Sequence, residues 1–160
     1  MNAGDPINEH AARAILPAFS EPLAVPADLS LQLLLALPKG NSPTYVELFY
    51  APEPIGQSET NFDFFATRGL LLSEAPTHGQ TAQFIEQSMG AETFNESGRI
   101  VRVGPHDAAV VHDRELDWTA GTRTYYVYWS DGTTDYVLLA STQPAEAVDV
   151  ARSLYCGSTT

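Results

Sequence analysis

The run Tyr125-Tyr126-Val127-Tyr128-Trp129-Ser130-Asp131-Gly132-Thr133, continued by Asp135 to Ala140 and then by Pro144 to Gly157, decides the fold. Residues 125–129 alternate apolar and amphipathic side chains, Ser130 to Thr133 supply turn chemistry, and Asp135 to Ala140 return as a second strand, which predicts a hairpin. Beyond it, Ala147, Val150, Ala151, Leu154 and Tyr155 recur at the spacing of one helical face, while Glu146, Asp149 and Arg152 point elsewhere. Pro144 suits a first helical turn, where an N–H has no intrahelical partner, and Gly157 suits the left-handed conformation that ends a helix. Glu146 near the positive end and Arg152 near the negative end complement the backbone dipole. The spacing predicts a helix lying with its apolar stripe on the sheet.

Working outward, Asp5-Pro6 forms an N-cap and first-turn pair for a short helix carrying Ile7, Ala11, Ala14 and Ile15 and ending before Pro17. Pro17, Pro22 and Pro26 give an extended approach, after which Leu29, Leu31, Leu33, Leu35 and Leu37 occupy every second position, a strand with one buried face. Pro38 to Pro43 turns the chain into a second strand, Thr44 to Tyr50, with Val46, Leu48 and Tyr50 on one side and Tyr45, Glu47 and Phe49 on the other; the two should pair. Ala51 to Asn61 reads as a loop, and Phe62 to Ser73 as a third strand with a bend at Arg68-Gly69. Thr77 and Gln80 have capping-box spacing ahead of a short helix bearing Ala82, Ile85 and Met89 and stopped by Gly90. Arg99 to Val103 and Ala108 to His112 are strands joined through Gly104-Pro105, and Leu116 to Gly121 leads into the closing hairpin. The sum is α+β with a consecutive antiparallel sheet; most connections are too short for parallel crossovers. The expected organisation is a helical lead-in over residues 1–18 and one α+β domain over residues 19–157.

The 160 residues are 44% hydrophobic, enough for one domain with a sizeable core. Eight Lys plus Arg against twenty Asp plus Glu give a net charge of −12, a field that repels phosphate backbones and anionic lipid surfaces, so nucleic acid is not an expected partner. The acids are scattered, as on a soluble acidic surface. No stretch reaches the roughly 20 apolar residues that span a bilayer, so direct membrane insertion is not expected.

The order of pieces resembles the extracytoplasmic domain of unknown function found at the C-terminal end of bacterial anti-sigma factors and in related lipoprotein-like proteins. The resemblance covers about residues 19–155. It is carried by the Pro-rich lead-in from Phe19 to Leu29, by Val46-Glu47-Leu48-Phe49-Tyr50, and by Val101-Arg102-Val103-Gly104 through Val111. Trp129 to Gly132, Tyr136 and Ala151-Arg152-Ser153-Leu154 complete it; this last set is a packing signature. The resemblance implies a curved, half-barrel-like sheet similar to that of lipoprotein carriers. It also implies a bacterial, extracytoplasmic location, secreted or membrane-anchored in the full-length form, and a non-enzymatic sensor or interaction role with a protein, peptide or apolar ligand as partner. A carrier for a lipid-like apolar small molecule is the alternative, and a hydrolase with an unrecognised site a third possibility.

Candidate chemistry is sparse. His106-Asp107 and His112-Asp113 repeat a His-Asp pair six apart, which on one uninterrupted strand would put both imidazoles on one face. Gly104-Pro105 places His106 in a turn, so the expectation is ordinary histidines and no metal. There is no G-x-S-x-G elbow, no H-E-x-x-H, no phosphate loop and no G-x-G-x-x-G, and no cofactor is expected. Cys156, alone and at a helix C-terminus where the dipole disfavours a thiolate, is expected to be a partly buried packing residue. Asp113 and Glu115 receive no role, and the pattern Asn95-Glu96-Ser97 is read as a coincidental glycosylation sequon. Alternation puts Tyr125, Val127 and Trp129 on one face and Tyr126 and Tyr128 on the other. The aromatics are expected to pack across strands, with Tyr126 and Tyr128 as the candidate stacking surface for a ligand or partner.

Overall fold

The structure, a computed structural model, describes residues 4–55, 69–90, 98–112 and 123–156. Its elements are β1 (Asp5–Pro6), α1 (Glu9–Ile15), β2 (Ser30–Leu37), β3 (Tyr45–Ala51), β4 (Leu70–Pro76), α2 (Ala82–Gly90), β5 (Arg99–Val103), β6 (His106–His112), β7 (Tyr125–Ser130), β8 (Thr134–Ala140) and α3 (Pro144–Ser153). The eight strands form one antiparallel sheet in the order β1-β2-β3-β4-β8-β7-β6-β5, open at β1 and β5. The expected α+β class, antiparallel sheet and C-terminal helix are therefore present.

The closing hairpin forms as its residues dictate. Asp131 Oδ1 accepts the N–H groups of Thr133 and Thr134, both at 2.8 Å, and Gly132 takes φ +91°, a conformation open to glycine at no steric cost. Trp129 then faces Tyr136 across the strands, with ring centroids 5.0 Å apart and nearly parallel. Such a pair adds about 0.5–1.5 kcal/mol beyond burial. The chain leaves β8 through Ser141 and Thr142, and Pro144 sits in the first turn of α3. Ala147, Val150 and Ala151 of α3 are buried against Val127, Trp129, Tyr136 and Leu138.

Core residues alternate along the strands. Val46, Leu48, Leu70, Leu72, Val110, Val127 and Leu138 form the main core together with Ala12 of the first helix, its C-cap Leu16, and α3. On the opposite face, Ala82 and Ile85 of α2 cover Ala109 and Tyr128, while Leu35, Phe49 and Leu71 form a further cluster over β2, β3 and β4. The sheet is thus the middle of three layers, and its central strands are buried on both faces.

Several expectations are corrected. Asp5 and Pro6 pair with Ala36 and Leu35 as β1 instead of opening the helix; Asn8, an equally good cap, accepts the Ala11 N–H at 2.9 Å. The leucine run of β2 is not a single stripe, because an irregularity between Leu31 and Leu33 shifts the register. Leu29 and Leu34 join the main core, while Leu35 and Leu37 join the cluster on the other face. Thr81, not Thr77, caps α2 by accepting the Phe84 N–H at 3.1 Å. The strands do not run consecutively: β4 pairs with β8, and β5 lies at the far edge. The third strand is Leu70–Pro76, and α3 ends at Ser153. The expected strand portion Phe62 to Arg68, the segment Leu116 to Gly121, the Asn95 sequon, Asp113, Glu115 and Gly157 lie outside the described residues.

A part-buried polar contact ties the hairpin to the residues just after α3. The indole N–H of Trp129, a residue with 0% exposure, donates to the Tyr155 hydroxyl at 2.8 Å. Tyr155 also lies over the β5–β6 turn, where a Cβ on Gly104 (φ +55°) would come within 2.6 Å of the Tyr155 ring. Tyr155→Phe removes the acceptor and leaves a buried donor unpaired, so urea denaturation should show a loss of about 1–3 kcal/mol. Unchanged stability would mean that the contact is absent.

Candidate functional site

At one end of the sheet, the segment after β4, the start of α2 and the β5–β6 and β7–β8 turns surround a cleft of about 430 Å³. Thr77, Gly79, Gln80, Thr81 and Ala82 form one wall, and Arg102, Pro105, His106, Asp107, Ser130 and Gly132 complete the lining. This volume lies within the roughly 300–1,000 Å³ of small-molecule sites.

The walls are fixed by hydrogen bonds to the sheet. The Thr77 N–H donates to the Thr133 carbonyl at 2.9 Å, the His78 N–H donates to Asp135 Oδ2 at 2.9 Å, and the Tyr128 hydroxyl donates to the Gln80 carbonyl at 2.9 Å. Tyr128, 3% exposed, is therefore the post under this wall and presents no ring to a partner. Tyr126 is partly buried beside the same cluster. The two tyrosines singled out from sequence share the α2 face, and neither lines the cleft.

On the opposite wall, Arg102 donates to Asp107 Oδ1 and to the Pro105 carbonyl, each at 2.8 Å, and Gln83 donates to Asp107 Oδ2 at 2.8 Å. These bonds, led by that from Arg102, hold the Asp107 carboxyl below its usual range. The Arg102 carbonyl in turn accepts from Arg152 Nε at 2.9 Å, which ties the edge strand β5 to α3. Ser130 Oγ is engaged within its own turn, donating to the Thr134 carbonyl at 3.3 Å and accepting the Gly132 N–H at 3.2 Å. The cleft thus offers hydroxyls, backbone groups and a mutually neutralised ion pair.

His106 and His112 stand at opposite ends of β6, and about 3.3 Å of rise per residue puts them about 20 Å apart, too far to share an ion. His106 lies on the strand, paired with Val103, and not in the turn expected for it; it packs against Tyr155 at 5.5 Å, and His112 stacks on Tyr125 at 5.1 Å. Among the described residues, no group of three or more His, Cys, Asp or Glu could hold a metal. Cys156 is exposed, which corrects its expected burial.

The residue that sequence reading passed over is Glu74. It follows Leu70 and Leu72 at the core-facing parity of β4, between Val46 and Tyr136 on the neighbouring strands, and its exposure is 0%. That parity was the available signal: an acid in the apolar phase of a strand. Glu74 Oε1 accepts the Ser20 N–H at 3.1 Å, while Oε2 has no hydrogen-bond partner among the described residues. Burial is the largest cause of a carboxyl pKa pushed up to about 8; Glu21 and Asp131 add to it, and the Ser20 bond and Arg13 oppose it. Burial also raises Tyr50 and Tyr136, with Glu21 and Glu74 acting on the first and Asp131 and Glu74 on the second.

The chain matches no protein-family model, no curated protein and no solved structure.

The Glu74 shift fixes a pH dependence. The folded chain keeps this proton over a range in which the unfolded chain releases it. Stability from this group is therefore complete below about pH 4.5 and declines as pH rises towards about 8, by about 1.4 kcal/mol per unit. Urea denaturation at pH 5, 6, 7 and 8 should show that slope in the wild type and its loss in Glu74→Gln. Equal slopes would assign the pH dependence to other groups.

Proposed function

We propose that this chain is a non-enzymatic, extracytoplasmic sensor or interaction domain that engages a protein or peptide through the cleft at the β4–α2 end of the sheet. The observation that carries the reading is the composition of that cleft: about 430 Å³ walled by Thr77, Gln80, Thr81, Ser130 and glycine backbone, with Arg102 and Asp107 paired to each other. Such a surface exchanges hydrogen bonds with an extended polar segment. Glu74, a fully buried carboxyl, is sealed beneath the lead-in segment and does not line it. The extracytoplasmic, bacterial part of the reading is supported by the sequence resemblance, in which residues 129–136 and 151–154 are the most specific elements.

The carrier reading keeps a specific observation of its own, a shallow hollow of about 300 Å³ in which Ala24, Val25 and Pro26 face Val150, with Glu146 and Asp149 at its rim. A carrier would also need the half-barrel curvature that the resemblance implies.

A photo-crosslinking residue placed at Gln80 in the cleft, and separately at the exposed Glu53 beyond β3, tests the interaction reading in cells of the native host. The expected result is one discrete protein adduct from position 80 and none from position 53. No adduct at either position, combined with lipid retained by the purified protein in native mass spectrometry, would favour the carrier.

A further inference from the structure

The segment joining α1 to β2, residues 16–29, lies over the main core, and its fastenings to the described residues include three hydrogen bonds. Arg13 NH1 donates to the Phe19 carbonyl at 3.0 Å, the Ser153 hydroxyl donates to the Ala24 carbonyl at 3.2 Å, and the Ser20 N–H donates to Glu74 Oε1 at 3.1 Å. Phe19, 2% exposed, is driven into the core beside the last of these. Two of the three fasteners end on carbonyl groups, which do not change charge. The third ends on a carboxyl.

We propose that Glu74 is a proton latch on the 16–29 segment: while neutral it lets the segment close over β3, β4 and β8, and loss of its proton to solvent lifts the segment and uncovers the floor formed by Tyr50 and Tyr136. The surroundings favour the neutral form when closed. Glu21 on the segment itself and Asp131 in the β7–β8 turn are like charges, and Tyr50, Tyr136 and Tyr155 on the adjoining elements are phenols that burial keeps protonated. The facing cation, Arg13, is already bonded to Glu9 at 2.7 Å and to the Phe19 carbonyl. A neutral carboxyl with Oε2 unpaired costs less than a sealed carboxylate held by the Ser20 N–H with no counterion in contact. The cheaper response to ionisation is to admit water, and the loop element above Glu74 can move without breaking the sheet ladder. The latch does not depend on the proposed partner cleft.

Amide hydrogen exchange at Ser20 and through residue 29, corrected for the intrinsic rate, tests this between pH 5.5 and 8.5. A closed state that holds the proton and an open state that releases it give an open-to-closed ratio rising tenfold per pH unit, levelling off above about pH 8. The rise should occur in the wild type, disappear in a folded Glu74→Gln, and depend on urea far less than exchange at Leu138 in β8. A flat wild-type profile, equal slopes in both proteins, or Ser20 and Leu138 opening together with one urea dependence would each overturn the latch. Should Glu74→Gln fail to fold, the wild-type carboxyl carbon decides: titration of Glu74 together with Ser20 protection supports the proposal, and titration near the ordinary value of about 4.3 refutes it.

Discussion

The fold depends on the pairing of β4 with β8. Seven consecutive residue pairs, from Leu70↔Ala140 to Pro76↔Thr134, join two four-stranded meanders, β1 to β4 and β5 to β8, into one sheet. Neither meander could bury its inner edge alone, and an unpaired central edge would leave a row of backbone donors and acceptors in an apolar setting. Once the join is made, Leu72 and Leu138 face each other beneath the helices, and the loop after β4 arrives beside the β7–β8 turn. That arrival creates the cleft: Thr77 bonds to Thr133 because β4 and β8 end together.

The same pairing concentrates polar groups inside the core. Glu74 is set opposite Tyr136, Tyr136 stacks on Trp129, and Trp129 donates to Tyr155 beyond α3. Buried polar groups of this kind contribute modestly when satisfied and cost more when orphaned, so they constrain which helix positions are compatible with the sheet. Trp129 is satisfied and ties α3 to its hairpin; Glu74 is half satisfied and makes stability depend on a proton. These opposite outcomes arise on one face within a few residues of each other.

How much could be read from the sequence follows from the range of the forces involved. The closing hairpin and α3 were legible because their signals are local: alternation over residues 125–129, turn chemistry at Asp131-Gly132, and helical spacing after Pro144. Faces of β3 were equally plain, Val46, Leu48 and Tyr50 turning to one side as their parity requires. Partner choice was not, since alternation says which face is buried and nothing of which strand lies alongside; α2 carries the chain from β4 to the far edge, so β4 meets β8. The leucines of β2 misled because a bulge inverts parity midway, and a strand covered on both faces carries no clean alternation. Of the candidate site, Tyr126 and Tyr128 were placed on the correct common face, but the tether of Tyr128 to Gln80 and the pairing of Arg102 with Asp107 arise from contacts that only the assembled sheet makes.

The most direct measurement of this architecture is the set of nuclear Overhauser contacts between facing strands in solution. Contacts between Leu72 and Leu138 and between Glu74 and Tyr136 are the expected result, since these residues are register partners. Contacts placing Leu70–Pro76 beside Arg99–Val103 would contradict it, and with it the position of the cleft and of the buried carboxyl.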